Sequence, residues 1–364
     1  MIRAAIRQDI NALVALESRA FETDRLSRRS FRRMIDKAHA DLLVACENDV
    51  LAGYVLVLYH RGTQLARLYS IAVDTDFRGK GIGGRLLEAG EAAAVERGCV
   101  FMRLEIRDDN SAAAALYQQA GYEPFDSIAH YYEDDADALR MEKSLGRHLK
   151  PAISRVPHYA QTTEFTCGPA ALMMAMRALD ESIPLDRKLE LRLWRESTTI
   201  FMTSGHGGCG PYGLALGAAH RGFDVEVFVS EPAALFVDTV RSEEKKEVIR
   251  LVHEDMAEEI ARRGIPVSFE PATLETLEAA HDAGGIALVL ISSWQLYREK
   301  FPHWVVITGF DDRFVYTHDP YIDSEEGKTL LDASDMPIRR DTFANMARYG
   351  RNAQRAALII RKAQ

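Results

Sequence analysis

A glycine-rich segment between a strand pattern and a helix pattern constrains the fold of this chain most. Residues 68–73 form an apolar run that predicts a β-strand, and residues 85–97 predict a helix. Glycines allow backbone N–H groups to approach a ligand closely, and a helix N-terminus favours negative charge. The segment therefore predicts a cradle for a pyrophosphate, and its members are Arg78, Gly79, Lys80, Gly81, Ile82, Gly83 and Gly84.

The size and charge of the chain narrow its class. The 364 residues predict two domains, because one domain usually has about 100–200 residues. The net charge of −9 argues against a broad nucleic-acid surface, which normally makes a domain basic. The four cysteines are far apart, which is typical of reduced thiols. With no apolar run of about 18 residues and no signal-peptide core, we expect a cytoplasmic protein without a nucleic-acid or membrane partner.

Strand and helix patterns alternate over residues 1–146, which predicts an α/β domain. The predicted strands are 2–6, 41–46, 51–60, 68–73, 101–106, 124–132 and 138–143. The predicted helices are 9–21, with Asp9 as its cap, 30–38, 85–97 and 111–120. Residues 47–49 predict a hairpin turn, and the acidic residues 133–137 a solvated loop.

Residues 147–156 are predicted to be a solvated linker, because prolines, a glycine and basic residues are concentrated in and around them. In the second domain, residues 157–364, helices are predicted at 170–179, 186–196, 212–221 and 242–263. Strands are predicted at 223–229, 286–292, 303–310 and 314–318. Since most of the helices precede most of the strands, this half is predicted to be an α+β domain.

A second pattern narrows the ligand of the glycine-rich segment. A glycine-rich loop alone is weak evidence, but this one follows a middle strand, whereas a dinucleotide-binding unit would have it after the first. The sequence Leu-Glu-Ile-Arg-Asp-Asp-Asn follows at 104–110, with Ala-Ala-Leu-Tyr at 114–117 and Gly-Tyr at 121–122. Together these residues resemble the GNAT acetyltransferase family, and most closely the ribosomal-protein alanine N-acetyltransferases.

The resemblance covers residues 2–145, including Ile-Ala-Val-Asp at 71–74 and the tyrosine pair at 131–132. It implies a GNAT fold with a mixed sheet and acetyl-CoA as cofactor. The pyrophosphate would bind to the glycine-rich segment, and the acetyl carbonyl and pantetheine arm to backbone N–H groups around Ile71, Ala72 and Val73. Asn110 and Tyr117 match the second motif of the family.

Two side chains in this pattern are candidates for acid–base catalysis. An amine must be neutral to attack a thioester, and Glu105, at a strand end, can take its proton directly or through water. Tyr117 can donate a proton to the leaving thiolate, and the resemblance assigns both residues these roles. The alternatives are that Glu105 only pairs with Arg103 or Arg107, that Tyr117 is a core aromatic, and that Asn110 only caps a helix.

Cys167 stands at the start of an apolar helix pattern, where unpaired N–H groups and the helix dipole favour a thiolate. Gln161, six residues upstream, can donate its amide to an oxyanion beside that thiolate. His303 opens an apolar strand and can act as the base, and Asp319 follows the next strand. This order of cysteine, histidine and aspartate is that of a papain-like site.

These four residues resemble those of the double-glycine leader peptidases, which are papain-like cysteine peptidases, over about residues 157–323. The resemblance implies thiolate attack on a peptide carbonyl, His303 as base and then acid, Asp319 orienting it, and Gln161 in the oxyanion hole. Pro169 and the insert at about 180–271 depart from the compact peptidase, and the sequence has no membrane span or ATPase pattern. Because of these departures, the resemblance does not imply cleavage at a double-glycine site, and the substrate is not assigned. The chain resembles a bacterial architecture in which a GNAT unit is fused to such a domain.

Several rival assignments concern the second domain. Cys167 as a buried inert thiol is one alternative, Cys209 in a glycine-rich stretch is a rival nucleophile, and His318 is a rival to His303. His206 and Cys209 are too few to define a metal site, and we predict no metal.

The predicted function is a bifunctional enzyme acting on a peptide or protein substrate. One domain is an acetyl-CoA-dependent N-acetyltransferase, and the other is a cysteine peptidase-like hydrolase of peptide bonds. The main alternative is an acetyltransferase with an inactive, peptide-binding second domain. Amide ligation or transglutamination by the same cysteine, and a pure scaffold, are further alternatives.

Overall fold

The computed structural model describes all residues except 22–24, 37–38, 133, 147–151, 202–205, 238–239, 325–326, 351 and 364. The chain divides into two compact units, Met1–Leu149 and Lys150–Gln364. Each unit has its own sheet and its own hydrophobic core.

Over its described residues, the first unit has a seven-stranded sheet in the order β1-β2-β3-β4-β5-β7-β6. The strands are β1 (Ile2–Ala4), β2 (Ala40–Glu47), β3 (Val50–Tyr59), β4 (Leu65–Val73), β5 (Phe101–Arg107), β6 (Glu123–Ile128) and β7 (Ala138–Ser144). The helices are α1 (Ile10–Ala20), α2 (Arg28–Asp36), α3 (Ile82–Glu96) and α4 (Ser111–Gln119). The strands pair antiparallel except β4 with β5, so the sheet is mixed.

The two faces of this sheet carry different helices. Val55 and Val57 of β3 pack in the core that contains α3 and α4, whereas Tyr54 and Leu56 pack in the core that contains α1 and α2. Successive strand residues point to opposite faces, so one apolar strand supplies both cores. A Cβ at Gly53 would lie 2.7 Å from the Ala72 carbonyl oxygen, so only glycine allows this close approach of β3 and β4.

Asp9 differs from its predicted role as a helix cap. Its carboxylate accepts the Ile6 N–H at 2.8 Å and pairs with Arg3 at 2.7 Å, and it makes no side-chain cap to α1. Residues Arg7–Asp9 form a 3-10 turn ahead of the helix, and Asp9 closes that turn instead. The predicted hairpin turn contains Asn48 and Asp49 with φ of 50° and 63°, a backbone conformation that these two residue types tolerate.

The parallel pairing of β4 with β5 stops partway along the strands. Residues 65–67 pair with residues 101–103, although both strands continue beyond this point. A cavity of about 830 Å³ lies where the pairing ends, lined by Leu68, Ser70 and Ile71 from β4 and by Glu105 and Ile106 from β5. The sheet therefore opens between its two central strands.

Over its described residues, the second unit has an eight-stranded sheet in the order β10-β9-β15-β11-β12-β13-β14, with β8 also paired to β12. Its strands are β8 (Ala152–Ile153), β9 (Phe223–Val229), β10 (Val267–Ser268), β11 (Ile286–Ser292), β12 (Pro302–Phe310), β13 (Phe314–His318), β14 (Met336–Arg339) and β15 (Ala356–Lys362). Its helices are α5 (Cys167–Leu179), α6 (Arg187–Ser197), α7 (Pro211–Ala219), α8 (Glu243–Arg262), α9 (Leu274–Asp282), α10 (Trp294–Tyr297), α11 (Leu330–Ala333) and α12 (Arg340–Met346).

Helix α5 is the central helix of this unit. Its residues from Cys167 to Met176 are all buried, and they share one core with α6, α7 and the strands β9, β11, β12 and β15. In the part of the chain that the structure describes, no helix combines the length and the apolar character needed to cross a membrane.

Part of the predicted linker at 147–156 belongs to the second sheet. Residues 147–151 lie outside the described residues, but Ala152 and Ile153 form β8 and pair with Phe310 and Gly309. The Ser154 N–H donates to the Thr308 carbonyl at 2.7 Å, and Val156 is buried. Backbone pairing along β12 thus orders a segment whose composition is typical of a connector.

Candidate functional sites

The glycine-rich segment forms a loop between a 3-10 turn, Thr75–Phe77, and the start of α3. Gly79 and Gly81 have φ of 75° and 69°, the left-handed region that favours glycine. Gly81 is the N-cap of α3, and the first backbone bond of the helix runs from the Arg85 N–H to the Gly81 carbonyl at 3.2 Å. Among the described residues, no hydrogen-bond acceptor faces the N–H groups of residues 79–84.

This loop fits a diphosphate group. A Cβ at Gly81 or Gly84 would meet no atom within 4 Å, so the unpaired N–H groups border open space. Arg78 and Lys80 are exposed beside them and supply positive charge. The loop thus combines backbone donors, a helix N-terminus and two cations, which is the chemistry a pyrophosphate needs.

The predicted backbone site at Ile71, Ala72 and Val73 lies at the end of β4 that β5 does not pair. These residues pair with Val55, Tyr54 and Gly53 of β3 on one edge. Their other edge faces the opening between β4 and β5, because the parallel pairing ends at residue 67. Backbone groups on that edge can bind a ligand that enters between the two strands.

Glu105 lies in the wall of the cavity and is held by buried partners. Arg67 Nη2 donates to Glu105 Oε2 at 2.5 Å, and the Tyr131 hydroxyl donates to the same oxygen at 3.0 Å. Arg140 Nε lies 3.6 Å from Glu105 Oε1. The side chains of Arg67, Glu105 and Arg140 are only 7%, 3% and 3% exposed, so the carboxylate is fixed in position within a cationic surrounding.

The arginines expected as alternative partners of Glu105 pair elsewhere. Arg103 donates to Glu142 at 2.6 Å, and Arg107 pairs with Asp109 and Asp134 at 2.9 and 2.8 Å. The register of β5 with β7 explains why Glu105 is near Arg140 and not paired with Arg103. Arg103 lies opposite Glu142, and Glu105 lies opposite Arg140. Cross-strand neighbours therefore decide the partners of Arg103 and Glu105, whereas Arg107 pairs with the nearby Asp109 and with Asp134.

Tyr117 and Asn110, both from α4 and its cap, line the same cavity as Glu105. Tyr117 is buried, its ring packs edge-on against Tyr122, and burial raises the pKa of its phenol above the usual value. It therefore stays protonated at neutral pH. Asn110 caps α4, because its Oδ1 accepts the Ala113 N–H at 3.0 Å.

Cys167 is the first residue of α5, three residues before the predicted helix start. Its neighbour Gly168 explains how the helix can begin there. A Cβ at Gly168 would lie 3.1 to 3.2 Å from side-chain atoms of Leu214, Cys209 and Trp304, which is tighter than most Cβ contacts, so glycine favours the close packing of α5. The Cys167 sulfur consequently lies at a helix N-terminus, where N–H groups are unpaired.

His303 and Asp319 form a buried pair beside Cys167. His303 Nε2 lies 2.6 Å from Asp319 Oδ1, and both residues are almost fully buried. Burial alone would lower the pKa of His303, but the Asp319 charge and hydrogen bond, together with the Cys167 thiol, outweigh it and raise that pKa to about 10. The imidazole is therefore protonated at neutral pH, and its positive charge lies beside the Cys167 side chain.

The Asp319 carboxylate has donors on both oxygens. Besides His303, Oδ1 accepts the Tyr321 N–H at 2.8 Å, and Oδ2 accepts the Tyr297 hydroxyl at 2.7 Å. Burial would raise the pKa of Asp319, but the charge and hydrogen bond of His303 and these donors lower it below the usual value. His158 Nε2 also lies 2.7 Å from the backbone oxygen of Asp319.

Gln161 lies in the loop that leads to α5 and is tied to the Asp319 side of the site. Its N–H donates to the Pro320 carbonyl at 2.8 Å. Its side-chain Nε2 donates to the Thr163 carbonyl at 2.8 Å, which differs from an amide devoted to an oxyanion. Since a primary amide carries two N–H groups, one remains for that purpose.

The rivals of these residues have structural roles. His318 uses both ring nitrogens, with Nε2 2.7 Å from the Val156 carbonyl and Nδ1 accepting the Asp335 N–H at 2.9 Å. Burial raises the pKa of the Cys209 thiol well above the usual range, which disfavours it as a nucleophile. The His206 ring packs on Phe165, at 4.7 Å between centroids.

Two residues that hold parts of the second site in place were not predicted from the sequence. Glu190 of α6 is fully buried and accepts hydrogen bonds from Thr162 and Thr166, which flank the loop before Cys167. The sequence did contain a signal for Glu190, because this carboxylate stands between Leu189 and Leu193 on the apolar side of a helix. Tyr297 lies in the one-turn helix α10, and no local pattern connects it with Asp319.

Comparisons with protein families match a different family to each of the two compact units. The description "Peptidase_C39 like family" matches residues 156–361, which are more than half of the 364 residues, and the chain belongs to that family. The description "Acetyltransferase (GNAT) family" matches residues 10–122. The first unit is a GNAT acetyltransferase domain and the second a Peptidase C39-like domain. Both family resemblances and the predicted mixed α/β fold class are thereby confirmed.

Individual relatives match parts of the chain. An acetyltransferase of Pectobacterium atrosepticum is 38% identical over 88 residues, which are 24% of this chain and 60% of the relative. An uncharacterised protein of Mycobacterium leprae is 33% identical over 139 residues, 37% of this chain and 38% of that protein. The chain thus spans less than two thirds of either relative. Among solved structures, the ribosomal-protein-S18-alanine N-acetyltransferase of Escherichia coli is 26% identical with a TM-score of 0.38, covering 41% of this chain and 96% of that one.

Proposed function

We propose that the protein is a bifunctional enzyme. The first domain transfers an acetyl group from acetyl-CoA to an amine of a peptide or protein, and the second hydrolyses a peptide bond through Cys167. The observation that carries the proposal is the placement of two reactive groups, with Glu105 in a cavity at the opening of β4 and β5, and the His303–Asp319 pair beside Cys167. We also propose a cytoplasmic location, because all four cysteines are free thiols, which is typical of a reducing compartment.

The acetyltransferase step follows from the residues around the cavity. Bound acetyl-CoA supplies a thioester carbonyl that is reactive towards amines. The unpaired N–H groups of residues 79–84, with Arg78 and Lys80, hold a diphosphate at the start of α3. Glu105 takes the proton of the acceptor ammonium, directly or through one water. Tyr117 carries its proton on the phenol oxygen at neutral pH and is the proton donor of the cavity.

The hydrolase step follows from the position of Cys167 beside His303. The Cys167 sulfur attacks the peptide carbonyl carbon, and the oxyanion that forms is stabilised by N–H groups at the start of α5 and by the free N–H of Gln161. His303 gives its proton to the leaving amine, and a thioester to Cys167 remains. Water then attacks this thioester while His303 takes a proton, which releases the carboxylic acid and restores the thiolate.

One experiment tests both activities with the full chain. A library of short peptides with free N-termini is incubated with acetyl-CoA, and mass spectrometry follows acetylation and cleavage for wild type, Glu105→Gln and Cys167→Ala. We expect acetylation to fall only in Glu105→Gln and cleavage to be lost only in Cys167→Ala. Equal cleavage by wild type and Cys167→Ala would overturn the hydrolase. Acetylation without any cleavage, together with peptide binding, would favour the inactive binding domain.

A further inference from the structure

Helix α2 has an unusual concentration of positive charge for a chain with a net charge of −9. Arg28, Arg29, Arg32 and Arg33 are exposed, while Phe31 is buried against the core of α1 and the sheet. At 100° per residue, the four arginines span about 140° of the helix surface. They form one continuous side, which we call the arginine face.

Most of the arginine face has no counter-charge among the described residues. Arg28, Arg29 and Arg32 make no ion pair with any residue in the part of the chain that the structure describes. The one acidic residue of α2, Asp36, bonds to Arg7, at 2.9 Å from Nε. Other arginines of this unit, such as Arg97, have carboxylate partners. Three neighbouring cations without an ion-pair partner are therefore available to an anionic partner.

The segment just before α2 lines the cavity that contains Glu105. The cavity wall includes Glu17 and Phe21, from the end of α1, and Leu26, just before α2. The Leu26 N–H donates to Glu17 Oε1 at 2.8 Å, and Arg25 Nε donates to the Phe21 carbonyl at 2.6 Å. Helix α2 thus begins two residues after a side chain that lines the cavity.

We propose that the arginine face binds an acidic segment of the acceptor, downstream of the amine that is acetylated. The proposal rests on the proposed acetyltransferase function and names the substrate class of that site. The arginines at positions 28–33 span about 8 Å along the helix axis, which is the length of about two to three extended peptide residues. The overall negative charge disfavours a nucleic acid, whose long anionic backbone needs a wider basic surface. An acidic peptide needs only the short face that α2 offers.

Fluorescence anisotropy with the full-length protein tests the proposal. Two labelled peptides share their first three residues and differ in the next four, which are glutamates in one and glutamines in the other. We expect the glutamate peptide to bind about tenfold more tightly at low salt, as three weak exposed ion pairs allow. The triple variant Arg28→Gln, Arg29→Gln and Arg32→Gln should abolish the difference. Equal binding of both peptides by wild type would overturn the proposal.

A matched control removes the same charge elsewhere. Lys188, Arg192 and Arg195 are exposed on α6 of the other unit, and their triple substitution by glutamine should leave the preference for the glutamate peptide unchanged. If the control lost the preference for the glutamate peptide to the same extent, the preference would depend on net charge alone, and the proposal would be overturned. Tighter binding of a single-stranded RNA of ten nucleotides, lost in the α2 variant, would overturn the choice of an acidic peptide.

Acetylation rates separate this proposal from the function on which it rests. We expect KM for the glutamate peptide to rise about tenfold in the α2 variant, with kcat and the KM for acetyl-CoA unchanged. Acetylation of both peptides with the same KM would overturn the acidic preference and leave the acetyltransferase intact. Binding of the glutamate peptide through α2 without acetylation of either peptide would support the arginine face and contradict the acetyltransferase.

Discussion

The Glu190 carboxylate accepts a hydrogen bond from Thr166 Oγ1 at 2.5 Å, and Thr166 directly precedes Cys167. The same carboxylate accepts the Thr162 N–H at 2.7 Å, the Thr162 hydroxyl at 2.6 Å and the Tyr159 hydroxyl at 3.0 Å. One buried side chain of α6 therefore holds the loop that carries Gln161 and leads to the nucleophile.

Replacing this anchor should destabilise the second domain. In Glu190→Gln, one oxygen becomes an NH2 group that cannot accept, so a buried donor loses its partner at a cost of about 1–3 kcal/mol. Urea denaturation measures the change. Glu247→Gln on the exposed side of α8 is the control, and we expect it to stay within about 0.5 kcal/mol of wild type. A Glu190→Gln protein as stable as wild type would show that the network is dispensable.

Gly168→Ala should also destabilise the second domain, through overpacking. The added methyl group would lie 3.1 to 3.2 Å from Leu214, Cys209 and Trp304 in a buried core, so we expect a loss of about 1–3 kcal/mol. Thermal or urea unfolding measures it. Gly210→Ala is the matched control, since its nearest neighbour, Thr199, would lie at an ordinary 3.6 Å. Equal stability of the two variants would contradict this packing argument.

Gly84→Ala should separate cofactor binding from stability. Gly84 lies in the first turn of α3, and an added methyl group would meet no protein atom within 4 Å, so stability should be unchanged or rise by up to about 1 kcal/mol. The methyl group would occupy space beside the unpaired N–H groups, and we expect acetyl-CoA to bind at least tenfold more weakly. Isothermal titration calorimetry measures the Kd, and an unchanged Kd would contradict the phosphate cradle.

Glu105→Gln should affect catalysis more than cofactor binding. Removal of a general base costs about 10²- to 10⁴-fold in rate, and we expect kcat for acetylation to fall within this range. Arg67 and Arg140 also lose a buried partner, so the acetyl-CoA Kd must be measured to show that the domain remains folded. Normal binding with an unchanged kcat would assign the base to another group.

Local patterns predicted much of the fold. The strand at residues 314–318 coincides with β13, and the strand at 223–229 coincides with β9, because short runs rich in β-branched and aromatic residues are local signals. Strand β15 was not predicted, although it lies between β9 and β11 in the middle of the second sheet. It is a short, largely buried apolar run near the C-terminus, and periodicity alone does not distinguish such a run from a helix.

The partners within each site depend on tertiary structure. The chemical types and order of Cys167, His303 and Asp319 can be found in the sequence, as can Glu105. Arg140 reaches Glu105 only through the register of β5 with β7, and Tyr297 reaches Asp319 only through the fold of the second sheet. Such pairings connect distant parts of the chain, and no local spacing encodes them.

The pH dependence of the His303–Asp319 pair follows from the raised pKa of His303, about 10 in the folded protein. An unfolded histidine has a pKa of about 6.5, so the stability that the imidazolium contributes is complete below about pH 6.5. It is lost as the pH rises through about 10. In Asp319→Asn, burial of His303 is no longer opposed by a carboxylate, and its pKa should fall instead.

Alkylation of Cys167 by iodoacetamide, followed across the pH range by mass spectrometry of the native protein, tests most directly whether His303 and Asp319 activate this thiol. At pH 6 the wild-type thiol should react at least tenfold faster than that of Asp319→Asn, because only the wild type keeps an imidazolium beside the sulfur. Equal rates at pH 6, with both proteins reacting only above the pKa of an ordinary thiol, about 8.5, would contradict an activated nucleophile at Cys167.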